Sequence, residues 1–114
     1  MSQFISLQQA IDMTTLYRQQ KENILEPAYK NQNIQPRCET FDRATLDTLL
    51  AKPDCVSIRI YYGMDASLKV HAILVAVDNK GNDILPASGM GGMDIVEDGQ
   101  RCPVDCPPPS PLNP

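Results

Sequence analysis

The sequence predicts one α+β domain, in which two N-terminal helices pack on an antiparallel β-meander of three to four strands. Two segments before residue 52 have apolar side chains at helical spacing, and residues 55–77 contain two strand-like segments joined by a turn. Six of the ten prolines lie after residue 102, where they favour an extended chain. We therefore expect a single domain over residues 1–100 and a Cys/Pro-rich C-terminal tail over residues 101–114.

The first helix is predicted over residues 6–25. Ser6 followed by Gln9 matches the capping box that begins many helices, and Pro27 is expected to end this one. Side chains with an apolar part recur along one face of the helix, at Leu7, Ala10, Ile11, Thr14, Tyr17 and Ile24. We expect this face to contact the sheet.

The second helix is predicted over residues 43–51. Asp42 is a favourable N-cap residue, and Phe41 is placed to pack on Leu46 as a hydrophobic staple. The side of the helix that is expected to be buried consists of Leu46, Leu49 and Leu50.

A β-hairpin over residues 56–77 is expected to form the centre of the domain. Residues 55–62 alternate between two faces, which is typical of a strand with one buried face. The face expected to be buried carries Val56, Ile58, Ile60 and Tyr62. The opposite face carries Cys55, Ser57, Arg59 and Tyr61.

The rest of the sheet is predicted from the segments that follow. Residues 63–67 are expected to form the turn, and residues 68–77 a second strand covered on both sides, because both of its faces are apolar from Ala72 onward. Residues 83–85 are expected to form a short third strand. Residues 87–99 are predicted to be a glycine-rich loop with a brief strand at 94–97.

Composition excludes several classes of function. The net charge is −4 and there is no run of Lys or Arg, so we expect no nucleic-acid partner. No stretch of about 18 apolar residues is present, so we expect no membrane span. The N-terminus lacks the pattern of a signal peptide, which predicts a cytoplasmic protein. Nothing in the sequence indicates a cofactor.

The pair Cys102 and Cys106 is the sharpest local motif, with three residues between the cysteines and a proline after each. Two thiolates could supply half of a zinc site, but the second Cys or His pair that such sites use is missing. A disulfide and two unlinked thiols are the alternatives. The sequence leaves all three interpretations open.

A second candidate is a binding surface on the polar face of the hairpin, formed by Arg59, Tyr61, Lys69 and His71. His71 is the only histidine, and Cys55 on the neighbouring strand is a candidate partner for it in a Cys–His pair. A strand histidine that hydrogen-bonds to its neighbours is the simpler expectation.

Three segments carry a family resemblance: Ile60-Tyr-Tyr-Gly-Met-Asp65, Leu68-Lys-Val-His-Ala-Ile73 and Cys102-Pro-Val-Asp-Cys-Pro107. In these segments the chain resembles a small family of uncharacterised bacterial proteins. The resemblance implies a small bacterial cytoplasmic protein and carries no activity, ligand or partner.

The absence of a coherent catalytic motif favours a small non-enzymatic binding or accessory domain. A sheet of this kind leaves an exposed edge, which predicts a homo-oligomer, and the further partner would be an unidentified protein or small-molecule ligand. One alternative is a metal- or thiol-dependent enzyme that uses Cys102 and Cys106 with His71. Another is partner recruitment by the proline-rich tail, which contains a P-x-x-P element at Pro108–Pro111.

Overall fold

A computed structural model describes residues 3–86 and 95–114 of the chain. All strand pairs are antiparallel, and the strands form one sheet of order β2-β3-β4 and a second, two-stranded sheet of β1 and β5. The α+β class predicted from the sequence is confirmed. The elements, with a short 3-10 helix at Pro27–Tyr29, are α1 (Leu7–Gln20), β1 (Cys38–Thr40), α2 (Arg43–Leu50), β2 (Cys55–Met64), β3 (Val70–Asp78), β4 (Ile95–Val96) and β5 (Gln100–Cys102).

Helix α1 begins where the sequence predicts. The Ser6 hydroxyl accepts a hydrogen bond from the Gln9 N–H at 3.0 Å, and the Gln9 side chain accepts one from the Ser6 N–H at 2.9 Å. The helix ends at Gln20, earlier than the predicted residue 25. None of its residues is buried, and Leu16 is 59% exposed. The apolar face of α1 is therefore largely open to solvent.

Polar contacts attach α1 to the rest of the chain. The Tyr17 hydroxyl donates to the Pro36 carbonyl at 2.7 Å, and Arg18 Nη1 donates to the Leu112 carbonyl at 2.8 Å. The second contact brings the proline-rich tail back onto α1.

Helix α2 covers one face of the β2–β3 hairpin. Leu49 is completely buried and forms the core with Leu74 and Ala76 of β3. Phe41 and Leu46 pack against the same cluster. The hydrophobic core therefore lies between this short helix and the middle of β3.

A bulge at Val56 changes the faces of β2. Cys55 pairs with Asp78 and Ser57 with Val77, so two steps along β2 match one step along β3. Cys55 consequently packs with the core cluster, whereas Val56 is 64% exposed. The prediction that Val56 shares the buried face of Ile58 is wrong, because alternation cannot continue through a bulge.

The exposed part of β2 lies beyond the reach of α2. Ile60 and Tyr62 were predicted to be buried, yet they are 51% and 79% exposed. The residues that pack around Leu49 include Cys55 and Ile58, near the opposite end of the strand. An eight-residue helix leaves the second half of this face uncovered.

Strand β3 has partners along both edges. Beyond its pairing with β2, it pairs with β4 at Leu74 and Val75, and its Ala76 carbonyl accepts from the Ile84 N–H at 2.9 Å. The predicted third strand over residues 83–85 is reduced to a single bridge between Val77 and Asp83. The predicted brief strand is present as β4, whereas the glycine-rich loop up to residue 94 lies outside the described residues.

The β1–β5 sheet and the segment before it make hydrogen bonds with the first half of β3. The Val70 N–H donates to the Ile34 carbonyl at 2.7 Å, and the Ala72 N–H donates to Glu39 Oε1 at 3.0 Å. Arg101 Nη2 donates to the Val70 carbonyl at 3.0 Å. Residues 101 and 102, assigned to the tail by the sequence, thus belong to β5 and help to hold the two sheets together.

Candidate functional site

Arg59 and Tyr61 of the candidate polar surface converge on Asp83. Arg59 Nη1 donates to one oxygen of the Asp83 carboxylate, and the Tyr61 hydroxyl donates to the other. Arg59 Nη2 also donates to the Gly81 carbonyl at 3.1 Å. Asp83 was not predicted as a partner of Arg59 and Tyr61. Its position just after the turn that follows β3 was the available signal, because the chain returns beside β3 there.

This three-residue cluster lies across β3. Arg59 pairs with Val75 on one edge of β3, and Asp83 bridges to Val77 on the other edge. The ion pair must therefore cross β3 near these two valines, which are only 2% and 3% exposed. We infer that the aliphatic stem of Arg59 covers this side of β3, a common use of long cationic side chains.

His71 contacts carboxylates on both sides of its ring. Its Nε2 lies 2.7 Å from Asp65 Oδ2 in a hydrogen bond, and its Nδ1 lies 3.0 Å from Glu97 Oε1. Within the described residues His71 Nδ1 makes no hydrogen bond, so the second contact is a close approach only. Because Asp65 belongs to the β2–β3 turn and Glu97 follows β4, His71 joins two loops of the sheet.

Two carboxyl groups in these clusters, those of Asp83 and Asp65, have pKa values below their usual range. Hydrogen bonding from Tyr61, followed by Arg59, lowers the pKa of Asp83. Hydrogen bonding from His71, followed by the Lys69 N–H, lowers the pKa of Asp65. A carboxyl with a lowered folded-state pKa stabilises the fold at pH values above its unfolded pKa, which is about 4, and this contribution is lost as pH falls through the folded value.

We therefore expect the urea midpoint of unfolding to fall as pH is lowered below about 4. A variant carrying Asp65→Asn and Asp83→Asn should be less stable than wild type at pH 7 and should lose less stability on further acidification. Urea titrations at pH 7, 5, 4 and 3 measure both effects. Parallel pH profiles for the variant and wild type would contradict these roles for the two carboxylates.

The register separates the remaining predicted partners. Cys55 pairs with Asp78, whereas His71 pairs with Gly63 near the other end of β3. The hypothetical Cys55–His71 pair is therefore not formed. Lys69 takes part through its backbone, because its N–H donates to Asp65 Oδ1 at 3.1 Å and its carbonyl accepts from the Asp65 N–H at 3.0 Å. The polar surface is thus used largely for contacts within the chain.

Cys102 and Cys106 form a disulfide, which was one of the three interpretations of this motif. Sulfurs bonded to each other are not thiolates and cannot ligate zinc as the metal interpretation requires. In residues 3–86 and 95–114, no group of three or more His, Cys, Asp or Glu side chains is arranged to hold a metal ion.

A cavity of about 330 Å³ adjoins this disulfide, and two cationic residues, Lys21 and Arg37, are among those that line it. Lys21 is only 9% exposed, and its Nζ lies 2.8 Å from Glu22 Oε2. The free Cys38 is the direct cross-strand neighbour of Cys102. We call the group formed by Cys38, Cys102, Cys106, Lys21 and Arg37 the disulfide corner.

The outer edge of β2 is the third candidate site. Within the described ranges, β2 pairs with β3 alone, so one long edge of this ten-residue strand has no strand partner. Its exposed apolar side chains, each between 45% and 79% exposed, are Val56, Ile60, Tyr61, Tyr62 and Met64. Ile60 and Tyr62 also line an apolar groove together with Pro36 and Phe41.

No family model, curated protein or solved structure matches this chain. In the part of the chain that the structure describes, no helix is long and apolar enough to cross a membrane. Function is therefore inferred from the geometry of the outer edge of β2, the two polar clusters and the disulfide corner.

Proposed function

We propose that this protein is a non-enzymatic binding or accessory domain that forms a homodimer through β2. The observation that carries the proposal is the outer edge of β2, which has no strand partner among residues 3–86 and 95–114 and carries exposed apolar side chains. Proteins usually shorten, charge or cover such an edge to prevent association. Here the strand has ten residues, a single charge at Arg59 and no proline.

A second copy of the chain fits this edge without any change of sequence. The regular ladder runs from Ser57 after the bulge to Met64, and Ile60 lies close to its centre. Two β2 strands that meet antiparallel about a two-fold axis at Ile60 place Ile60 opposite itself and Ile58 opposite Tyr62 of the other copy. Apolar side chains then face one another along the side that α2 leaves uncovered.

The register centred on Ile60 also suits the face of β2 that carries Arg59 and Tyr61. Arg59 lies opposite the uncharged Tyr61 of the second copy, and both side chains keep their contacts with Asp83 across β3. A register centred on Arg59 would instead place two Arg59 residues directly opposite each other, where like charges destabilise pairing. We therefore favour the axis at Ile60.

The surroundings of His71 support a binding function over an enzymatic one. A general base must contact the proton that it removes, and a nucleophile must lie beside its base. The described contacts of His71 through its ring nitrogens are with the carboxylates Asp65 and Glu97. His71 is thus engaged in joining loops.

Ile60→Lys is expected to weaken the dimer at least about 10-fold in Kd, because two ammonium groups would meet at the axis and two apolar side chains would be lost. Sedimentation velocity over a concentration series measures this change. The matched control is Leu16→Lys, which places the same charge on the exposed face of α1. Circular dichroism verifies that both variants retain their fold.

Two results would contradict the proposal. Wild-type protein that stays monomeric at high micromolar concentration would remove the dimer itself. A dimer that is dissociated by Leu16→Lys and resists Ile60→Lys would retain self-association but move the interface from β2 to α1.

A further inference from the structure

The disulfide corner places a third cysteine beside the bonded pair. Cys38 and Cys102 are direct partners in the β1–β5 ladder, so their side chains lie on the same face of this small sheet. Direct partners in antiparallel strands have Cα atoms about 4.5–5.5 Å apart, which is inside the range that disulfides span. Cys38 is half-buried and is a free thiol.

We propose that this corner is a thiol–disulfide exchange site in which Cys38 competes with Cys106 for Cys102. The Cys38 thiol loses its proton to solvent, and its sulfur attacks Cys102 Sγ. The bond between Cys102 and Cys106 breaks, a bond between Cys38 and Cys102 forms, and Cys106 leaves as a thiolate that takes up a proton. One disulfide and one thiol are present before and after, so the step needs no oxidant or reductant.

Burial gives the two sulfurs of the disulfide different roles. Cys102 is 1% exposed, so attack on its sulfur has to come from within the fold, and Cys38 is its neighbour. Cys106 lies in an exposed position, so a small external thiol such as glutathione meets this residue first. Cys38 is therefore placed to attack Cys102 from within the fold, whereas an external thiol is placed to attack Cys106.

The charges around the corner favour release of Cys106. The cavity beside the disulfide is lined by Lys21 and Arg37, and cations next to a sulfur stabilise the thiolate that exchange produces. The ion pair with Glu22 offsets part of the Lys21 charge, whereas Arg37 has no ion pair within the described ranges. The positive charge of Lys21 and Arg37 suits this cavity to an external thiol that carries negative charge.

Exchange at this corner would change which segments of the chain are cross-linked. Exchange would move the cross-link from the Cys102–Cys106 loop to the β1–β5 ladder. Residues 103–106 would then no longer belong to a loop that is closed by a disulfide.

The test uses Cys106→Ala, which removes the competing sulfur. After full reduction, the variant is treated with oxidised glutathione, quenched with an alkylating reagent and digested with trypsin. Cleavage after Arg37, Arg43, Arg59 and Arg101 places Cys38 in residues 38–43, Cys55 in residues 44–59 and Cys102 in residues 102–114. Mass spectrometry then identifies which peptides are linked.

We expect a peptide pair that joins residues 38–43 to residues 102–114, with Cys55 left free, at a rate independent of protein concentration. Cys38→Ser combined with Cys106→Ala should lose this pair and leave Cys102 as a thiol, because its buried sulfur is out of reach of glutathione. Wild-type protein in a glutathione buffer should show the same pair together with alkylated Cys106, which tests the proposal without a variant at Cys106. Glutathione on both Cys38 and Cys102 without the linked pair, or no linked pair in wild type, would overturn the proposal.

Discussion

Replacing Leu49 by alanine is expected to lower the free energy of unfolding by roughly 2–5 kcal/mol. Leu49 is completely buried between α2 and the β3 residues Leu74 and Ala76. Alanine would remove apolar contact area and leave a cavity that the short helix cannot fill by a small shift. Small domains are stable by only about 5–15 kcal/mol, so this one substitution is expected to bring the domain close to unfolding.

Leu50 provides the matched control, because it is the next residue of the same helix and is 53% exposed. Leu50→Ala should change the free energy of unfolding by less than about 1 kcal/mol. Urea unfolding followed by circular dichroism measures both variants. Equal losses for the two leucines would show that the core does not lie beneath Leu49 as described.

The helix starts and the hairpin could be predicted because their signals are local. The capping box of Ser6 and Gln9 and the alternation of β2 depend on residues a few positions apart. The bulge at Val56 could not be predicted in this way, because a bulge inserts one residue without a distinctive pattern. That single residue moved Cys55 from the polar face of β2 into the core.

The partners of the polar residues depend on contacts between distant segments. Asp83 and Glu97 reach Arg59 and His71 only after the chain has returned along the edge of β3 that faces away from β2. Strands β1 and β5 have three residues each and come from opposite ends of the chain, so neither is long enough to show periodicity. The polar face was therefore predicted as a group of residues, whereas its internal pairing was not.

The exposed half of β2 follows from the length of α2. Alternation predicts two faces, but the extent of the covering element decides which residues of a face are buried. Ile58 lies in the covered part, and Ile60 and Tyr62 lie beyond it. This mismatch between the apolar face and its cover is the physical basis of the proposed dimer.

A cysteine at position 60 is expected to form a symmetric disulfide between two copies of the chain. At a two-fold axis the Cα atoms of position 60 would lie about 4.5–5.5 Å apart, which a disulfide can span. Met64→Cys is the control, since Met64 is also exposed and lies on the same strand. In the proposed register, position 64 lies opposite Val56 of the partner copy, eight positions and about 27 Å from its own equivalent.

The most direct measurement of the β2 interface is the rate of covalent dimer formation by Ile60→Cys. Both cysteine variants are made with Cys38→Ser and Cys55→Ala, so that the new thiol is free of competition from these two residues. Under mild oxidation, non-reducing electrophoresis should show Ile60→Cys converted to covalent dimer at a concentration where Met64→Cys remains monomeric. Equal rates for the two variants, or faster linkage through Met64→Cys, would contradict an antiparallel β2 interface centred on Ile60.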